Sequence, residues 1–208
     1  MMFLEPSLNH PNKQRDGEIK AGWIEVICGC MFSGKTEELI RRTNRALIAK
    51  QSVQIFKPAM DVRYDNLKVV SHNKNKISST PVKNVAEILE HAANNEVIAI
   101  DEAQFFGKGL LEVATELANS GKRVIISGLD MDFEGVPFNP IPELMSIAEF
   151  VTKLHAICVQ CGRVAHFSYR LIESYEKVLL GETNTYEARC RHCFHKGMLE
   201  KEKHKRLR

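Results

Sequence analysis

Missing from this chain is any apolar run of the length that a membrane-spanning helix needs, about twenty residues. The first stretch, Met1 to Glu18, is polar and holds two prolines, so it does not read as a secretory signal. A strong charge of one sign is lacking too: 29 Lys and Arg against 26 Asp and Glu leave a net charge of +3, too little for a surface that coats nucleic acid. Internal repeats are absent. These absences lead us to expect a cytoplasmic protein with neither a membrane nor a nucleic acid as partner. Length sets a further limit, because 208 residues at 44% hydrophobic content fill one good core and a small appendage, but not two full α/β domains.

What is present is a phosphate-binding signature. Gly29-Cys30-Met31-Phe32-Ser33-Gly34-Lys35-Thr36 fits G-x-x-x-x-G-K-[ST]. The glycines let successive backbone N–H groups turn inward on phosphate oxygens, and the helix that follows aims its positive dipole end at them. Lys35 adds a mobile positive charge near the β- and γ-phosphates, and the Thr36 hydroxyl completes a Mg2+ shell. Both flanks suit the motif. Trp23 to Cys28 is a β-rich run that ends at the loop. Beyond it Leu39, Ile40, Thr43, Ala46 and Leu47 recur at helical spacing, with Glu37, Glu38, Arg41, Arg42 and Arg45 on the other face.

Further strands are predicted at Val53 to Pro58, Val97 to Glu102, Arg123 to Asp130 and Thr152 to Ile157. Helices are predicted at Val85 to Ala93, Gly109 to Ala118 and Pro142 to Phe150. An irregular polar segment from Ala59 to Asn75 holds a short strand at Lys68 to Val70, and another follows at Ile77 to Thr80. This alternation argues for a mainly parallel sheet with helical crossovers, whose ligand lies at the carboxyl ends of the strands. Asp101 and Glu102 then emerge beside the phosphate loop. There Asp101 is placed to hold Mg2+, and Glu102 to take a proton from whatever attacks the γ-phosphate.

The other strong signal is Cys158-Val159-Gln160-Cys161 with Cys190-Arg191-His192-Cys193. Paired C-x-x-C turns suit a closed tetrahedral Zn2+ site, and four thiolates leave no open position, so the metal is expected to be structural. The expected division is a disordered segment over 1–20, a P-loop α/β domain over 21–157, a zinc-binding domain over 158–195 that holds a long loop, and a basic, frayed tail over 196–208. Two other classes share these features: a P-loop ATPase in which Glu102 activates water and the ribbon grips nucleic acid, and a zinc-ribbon adaptor with a vestigial nucleotide site. The first lacks room for a motor's second lobe and a gathering of basic and aromatic residues around the cysteines. Against the second stand the intact Lys35, Thr36, Asp101 and Glu102.

The phosphate loop, K-P-A-M-D-V-R-Y at Lys57 to Tyr64, D-E-A-Q-F-F at Asp101 to Phe106, G-L-D-M-D-F at Gly128 to Phe133 and the paired cysteines together resemble thymidine kinases of the zinc-containing, cytosolic type. The resemblance covers about Gly22 to Cys193. It implies transfer of the γ-phosphoryl group of ATP to the 5′-hydroxyl of thymidine, in a homotetramer subject to feedback by dTTP. By similarity Glu102 is the general base, residues 29–36 bind the ATP phosphates, Asp101 supports Mg2+, and Ala103 and Gln104 lie near the nucleotide. Lys35 and Arg63, the latter paired with Asp61, neutralise charge at the reacting groups. Phe133 resembles the aromatic residue against the thymine ring. Tyr186 and the stretch Val178, Leu179, Leu180 and Gly181 match a substrate-enclosing lasso loop, and Ser168 falls near the thymine methyl group. Many relatives carry proline, alanine or serine where this chain has Cys30, and some carry threonine where it has Ser168.

Overall fold

The computed structural model describes residues 21–59, 68–70, 76–172 and 184–206. Expectations that fall on 1–20, on Asp61 and Arg63, and on Val178 to Gly181 lie outside the described residues.

The main body is an α/β sandwich built on a six-stranded sheet. Its strands are β1 (Trp23–Gly29), β2 (Val53–Pro58), β5 (Thr80–Val82), β6 (Val97–Ile100), β7 (Arg123–Gly128) and β8 (Phe150–Leu154), in the order β5-β2-β6-β7-β1-β8. Every pairing in it is parallel. A parallel sheet needs both faces covered, and period-two alternation sorts the side chains accordingly. Ile24, Val26 and Cys28 of β1, Ile98 and Ile100 of β6, and Val124 and Ile126 of β7 face one layer of helices: α2 (Ala86–Ala92), α3 (Gly109–Asn119) and α4 (Ile141–Ile147). Ile27, Ala99 and Ile125 face α1 (Lys35–Ile48) through Leu39, Ile40 and Ala46. A short antiparallel pair, β3 (Lys68–Val70) with β4 (Lys76–Ser78), precedes β5, whose Pro81 sits on the sheet edge where a missing N–H is tolerated.

Several expectations shift. Phe150 opens β8 rather than ending a helix, because Ala148 turns extended (ψ 138°) and Glu149 accepts the Ile24 N–H at 2.7 Å, tying this strand to β1. The predicted strand from Thr152 to Ile157 is two strands: β8 closes the large sheet, while β9 (Ala156–Ile157) pairs with β10 (Val164–Ala165) in a hairpin that carries the first cysteine pair. Arg42, expected on the solvent face of α1, is fully buried.

The small unit continues with β11 (Phe167–Arg170) antiparallel to β12 (Tyr186–Arg189), then α5 (Arg191–Arg206). Composition predicts a frayed tail from Lys196, but α5 runs through it. The helix docks by a few contacts that charge counting does not register: Phe194 stacks on Phe167 with centroids 4.4 Å apart, the Tyr169 hydroxyl donates to the Gly197 carbonyl at 3.1 Å, and the Lys201 ammonium reaches the Arg170 carbonyl. A docked apolar face stabilises a helix that its lysines and glutamates would leave solvated.

Candidate active site

The phosphate loop leaves β1 at Gly29, where φ is +142° and any Cβ would meet the Leu154 carbonyl at 2.3 Å. Glycine is required there by conformation and by close packing on β8. The non-glycine Phe32 also has positive φ, +64°. Strain of this kind persists only where the surroundings hold it, and it gathers at ligand-binding loops. The Lys35 ammonium donates to the Cys30 carbonyl at 2.8 Å, folded back across the loop. The Ser33 hydroxyl is buried with no hydrogen-bond partner among the described residues. An unpaired polar atom inside a loop that ends on a helix N-terminus suits an anion.

β7 lies between β1 and β6 in the sheet, yet the tips converge: the Thr36 hydroxyl donates to Asp101 Oδ2 at 3.3 Å. A hydroxyl and a carboxylate at that distance, at the mouth of a phosphate loop, form a donor set suited to a hard divalent cation. Burial pushes the Asp101 carboxyl up to about 6, and the neighbouring Glu102 charge adds to the rise. Glu102 is held in the left-handed region, φ 51°, at the start of the 3-10 turn Ala103–Phe105. The Gln104 amide donates to Glu102 Oε2 at 2.5 Å and accepts the Leu129 N–H at 2.9 Å, so one side chain joins the tips of β6 and β7.

The small unit meets the phosphate loop directly. Ser168 is buried, and its hydroxyl accepts the Met31 N–H of the phosphate loop at 3.0 Å. Cys30 packs in one apolar cluster with Cys158 and Cys190, and its thiol donates weakly to the Ala165 carbonyl at 3.6 Å. Burial raises the Cys30 thiol above its ordinary range and pushes Cys28 up to about 11, which makes both inert packing groups rather than nucleophiles. The phosphate loop therefore rests directly on the cysteine unit.

All four cysteines of that unit are free thiols whose sulfurs lie within 4.8 Å of one another, with Cys161 and Cys190 Sγ 3.6 Å apart. Disulfides need about 2.05 Å. A tetrahedron of sulfurs about 2.3 Å from a Zn2+ ion has edges close to 3.8 Å, so the cluster fits that ion. Burial opposes ionisation of Cys158, but N–H groups of Cys190 and Gln160 outweigh it and bring the thiol down to about 6, as a metal-binding sulfur requires. A broad cleft of about 1610 Å3, lined in part by Lys153, His155 and Arg163, takes in neither the phosphate loop nor Asp101 and Glu102, so cavity size does not mark the chemistry.

The thymidine kinase family model matches residues 22–194. That span takes in the phosphate loop, the carboxylate pair and all four cysteines. The chain belongs to the thymidine kinase family. It is 58% identical over 178 residues to a thymidine kinase of Porphyromonas gingivalis, covering 86% of this chain and 87% of that protein. A Bacteroides fragilis thymidine kinase is 58% identical over 181 residues, covering 87% and 91% of the two chains. A Rhodothermus thymidine kinase is 56% identical over 173 residues, covering 83% and 81%.

In this member of the family, one residue at the site escaped the sequence reading. Arg170, 1% exposed, lies with its guanidinium carbon 3.6 Å from the centroid of the Phe133 ring and donates twice to the Tyr186 hydroxyl, at 3.1 and 2.8 Å. It thereby brings together two aromatic residues that are more than fifty positions apart in the chain. A signal existed: on β11 the period-two rule puts Arg170 on the same face as Ser168. A single arginine in a basic chain gave no reason to prefer that reading.

Proposed function

We propose that this thymidine kinase family member transfers the γ-phosphoryl group of ATP to the 5′-hydroxyl of thymidine, and also of deoxyuridine, giving the monophosphate for nucleotide salvage. The observation that carries this reading is the Thr36–Asp101 contact at 3.3 Å, with Glu102 beside it, at the mouth of a phosphate loop. Backbone N–H groups of Gly29 to Thr36 cradle the phosphates. Lys35 exchanges its contact with the Cys30 carbonyl for phosphate oxygens. Thr36 and Asp101 hold Mg2+, which when bound neutralises charge developing on the β- and γ-phosphates. Glu102 accepts the 5′-hydroxyl proton while that oxygen bonds to the γ-phosphorus and the bond to the β–γ bridging oxygen breaks, releasing ADP.

Phe133 supplies a flat apolar face for the base, Ser168 and Tyr186 line the same side, and the stretch Val178 to Gly181 closes over it. Arg63, with Asp61, neutralises charge. Cys158, Cys161, Cys190 and Cys193 hold a structural Zn2+ that fixes the position of the base-binding unit. The remaining family expectations, a cytoplasmic homotetramer inhibited by dTTP, belong to the same proposal. The test is a nucleoside panel with ATP and Mg2+, scored for monophosphate. Product from thymidine and not from cytidine, adenosine or guanosine analogues, and its loss in Glu102→Gln, is expected. ATP hydrolysis at the same rate with no nucleoside present would overturn the reading in favour of an ATPase.

A further inference from the structure

Gln104 is 3% exposed, and both ends of its amide are engaged. A main-chain N–H can only donate, so the Leu129 contact at 2.9 Å fixes Oε1 toward β7 and turns Nε2 to the Glu102 carboxylate at 2.5 Å. The β7 tip makes the room: a Cβ on Gly128 would lie 2.9 Å from Gln104 Oε1 and 2.5 Å from Ile141 Cδ1. Glu102 itself sits at φ 51°, a conformation that survives only where neighbours determine it. A bond from a buried amide, anchored on the adjacent strand, is such a determinant.

We infer that Gln104 is a positioning residue that aims the Glu102 carboxylate at the acceptor hydroxyl. The inference rests on the reading of Glu102 as the general base and adds the residue that orients it. Orientation matters because proton transfer needs the carboxylate within hydrogen-bond reach of the hydroxyl.

The test uses the full-length protein with thymidine, ATP and Mg2+, with rates taken per folded site. Gln104→Met keeps the volume and removes both hydrogen bonds. Gln104→Glu keeps an acceptor for Leu129, and so the local fold, but sets a second carboxylate against Glu102. Both are expected to lower kcat about 10- to 100-fold, a part of the roughly 100- to 10,000-fold that a positioned general base supplies, while KM for ATP stays within about two-fold. Adding Gln104→Met to Glu102→Gln should cost nothing further, since the residue acts only through that carboxylate. A raised KM for ATP with kcat retained, or a further large loss in the double variant, overturns the inference. Full thymidine phosphorylation by Glu102→Gln alone would instead remove the general-base reading beneath it.

Discussion

Replacing Glu25 by Gln is expected to destabilise the protein severely, although the residue is remote from the carboxyl ends of the strands. Glu25 is fully buried on β1 and accepts four hydrogen bonds: from Trp23 Nε1 at 2.8 Å, Arg42 Nη1 at 2.8 Å, Arg123 Nε at 2.6 Å and Arg123 Nη2 at 3.2 Å. Arg42 keeps Glu38 and Thr152 as partners if Glu25 loses its charge. Among the described residues Arg123, 2% exposed, has no carboxylate partner besides Glu25, and its Nη1 is already unpaired. Glu25→Gln therefore leaves a buried guanidinium uncompensated, a change that costs about 3–5 kcal/mol. That is a large share of the roughly 5–15 kcal/mol that holds a typical domain together. At roughly 2–4 °C per kcal/mol for a chain of this size, Tm falls by about 6–20 °C.

The single tryptophan, Trp23, is bonded to the altered side chain, so urea melts followed by its emission report the event directly, with circular dichroism as the second probe and protein concentration held fixed. Combining Glu25→Gln with Arg123→Met removes the stranded charge and should recover about half of the loss. A loss below about 1 kcal/mol for Glu25→Gln would refute the argument, since it would mean that water reaches the cluster and the charges were never buried.

Three other outcomes are expected. About one Zn2+ per chain should be found by metal analysis, and Cys190→Ser should raise KM for ATP as well as for thymidine, because Cys30 and Phe32 of the phosphate loop pack on the cysteine cluster; an unchanged ATP KM would count against that coupling. In the Mg2+-free and nucleotide-free protein, the raised Asp101 pKa means that the folded state binds the extra proton, so stability falls as pH rises from about 4 to about 6 and stays lower above it. Asp101→Asn should abolish that slope in melts across pH and raise stability at neutral pH. Ser168→Ala strands the Met31 N–H and should weaken ATP binding by about 1 kcal/mol in titration calorimetry, whereas Ser168→Thr keeps the acceptor and should not.

The phosphate loop, the carboxylate pair and the cysteine pairs were legible because each is a local device: its residues work at fixed spacing on one turn or one strand end. Central strands were legible for a related reason, since a strand buried on both faces must be apolar throughout, as Val97 to Ile100 and Val124 to Ile126 are. Contacts across the chain had no such local trace. Arg42 reads as one more surface charge until the sheet brings Glu25 under it, and Lys196 to Arg206 reads as a frayed tail until Tyr169 and Phe167 provide a surface to dock on. Arg170 meets Tyr186 because β12 lies antiparallel beside β11, and meets Phe133 from a separate part of the chain. Local chemistry could name the candidate groups for phosphate and metal. Which charges are buried, and which side chains meet the Glu102 carboxylate, depended on which distant elements came to lie beside them.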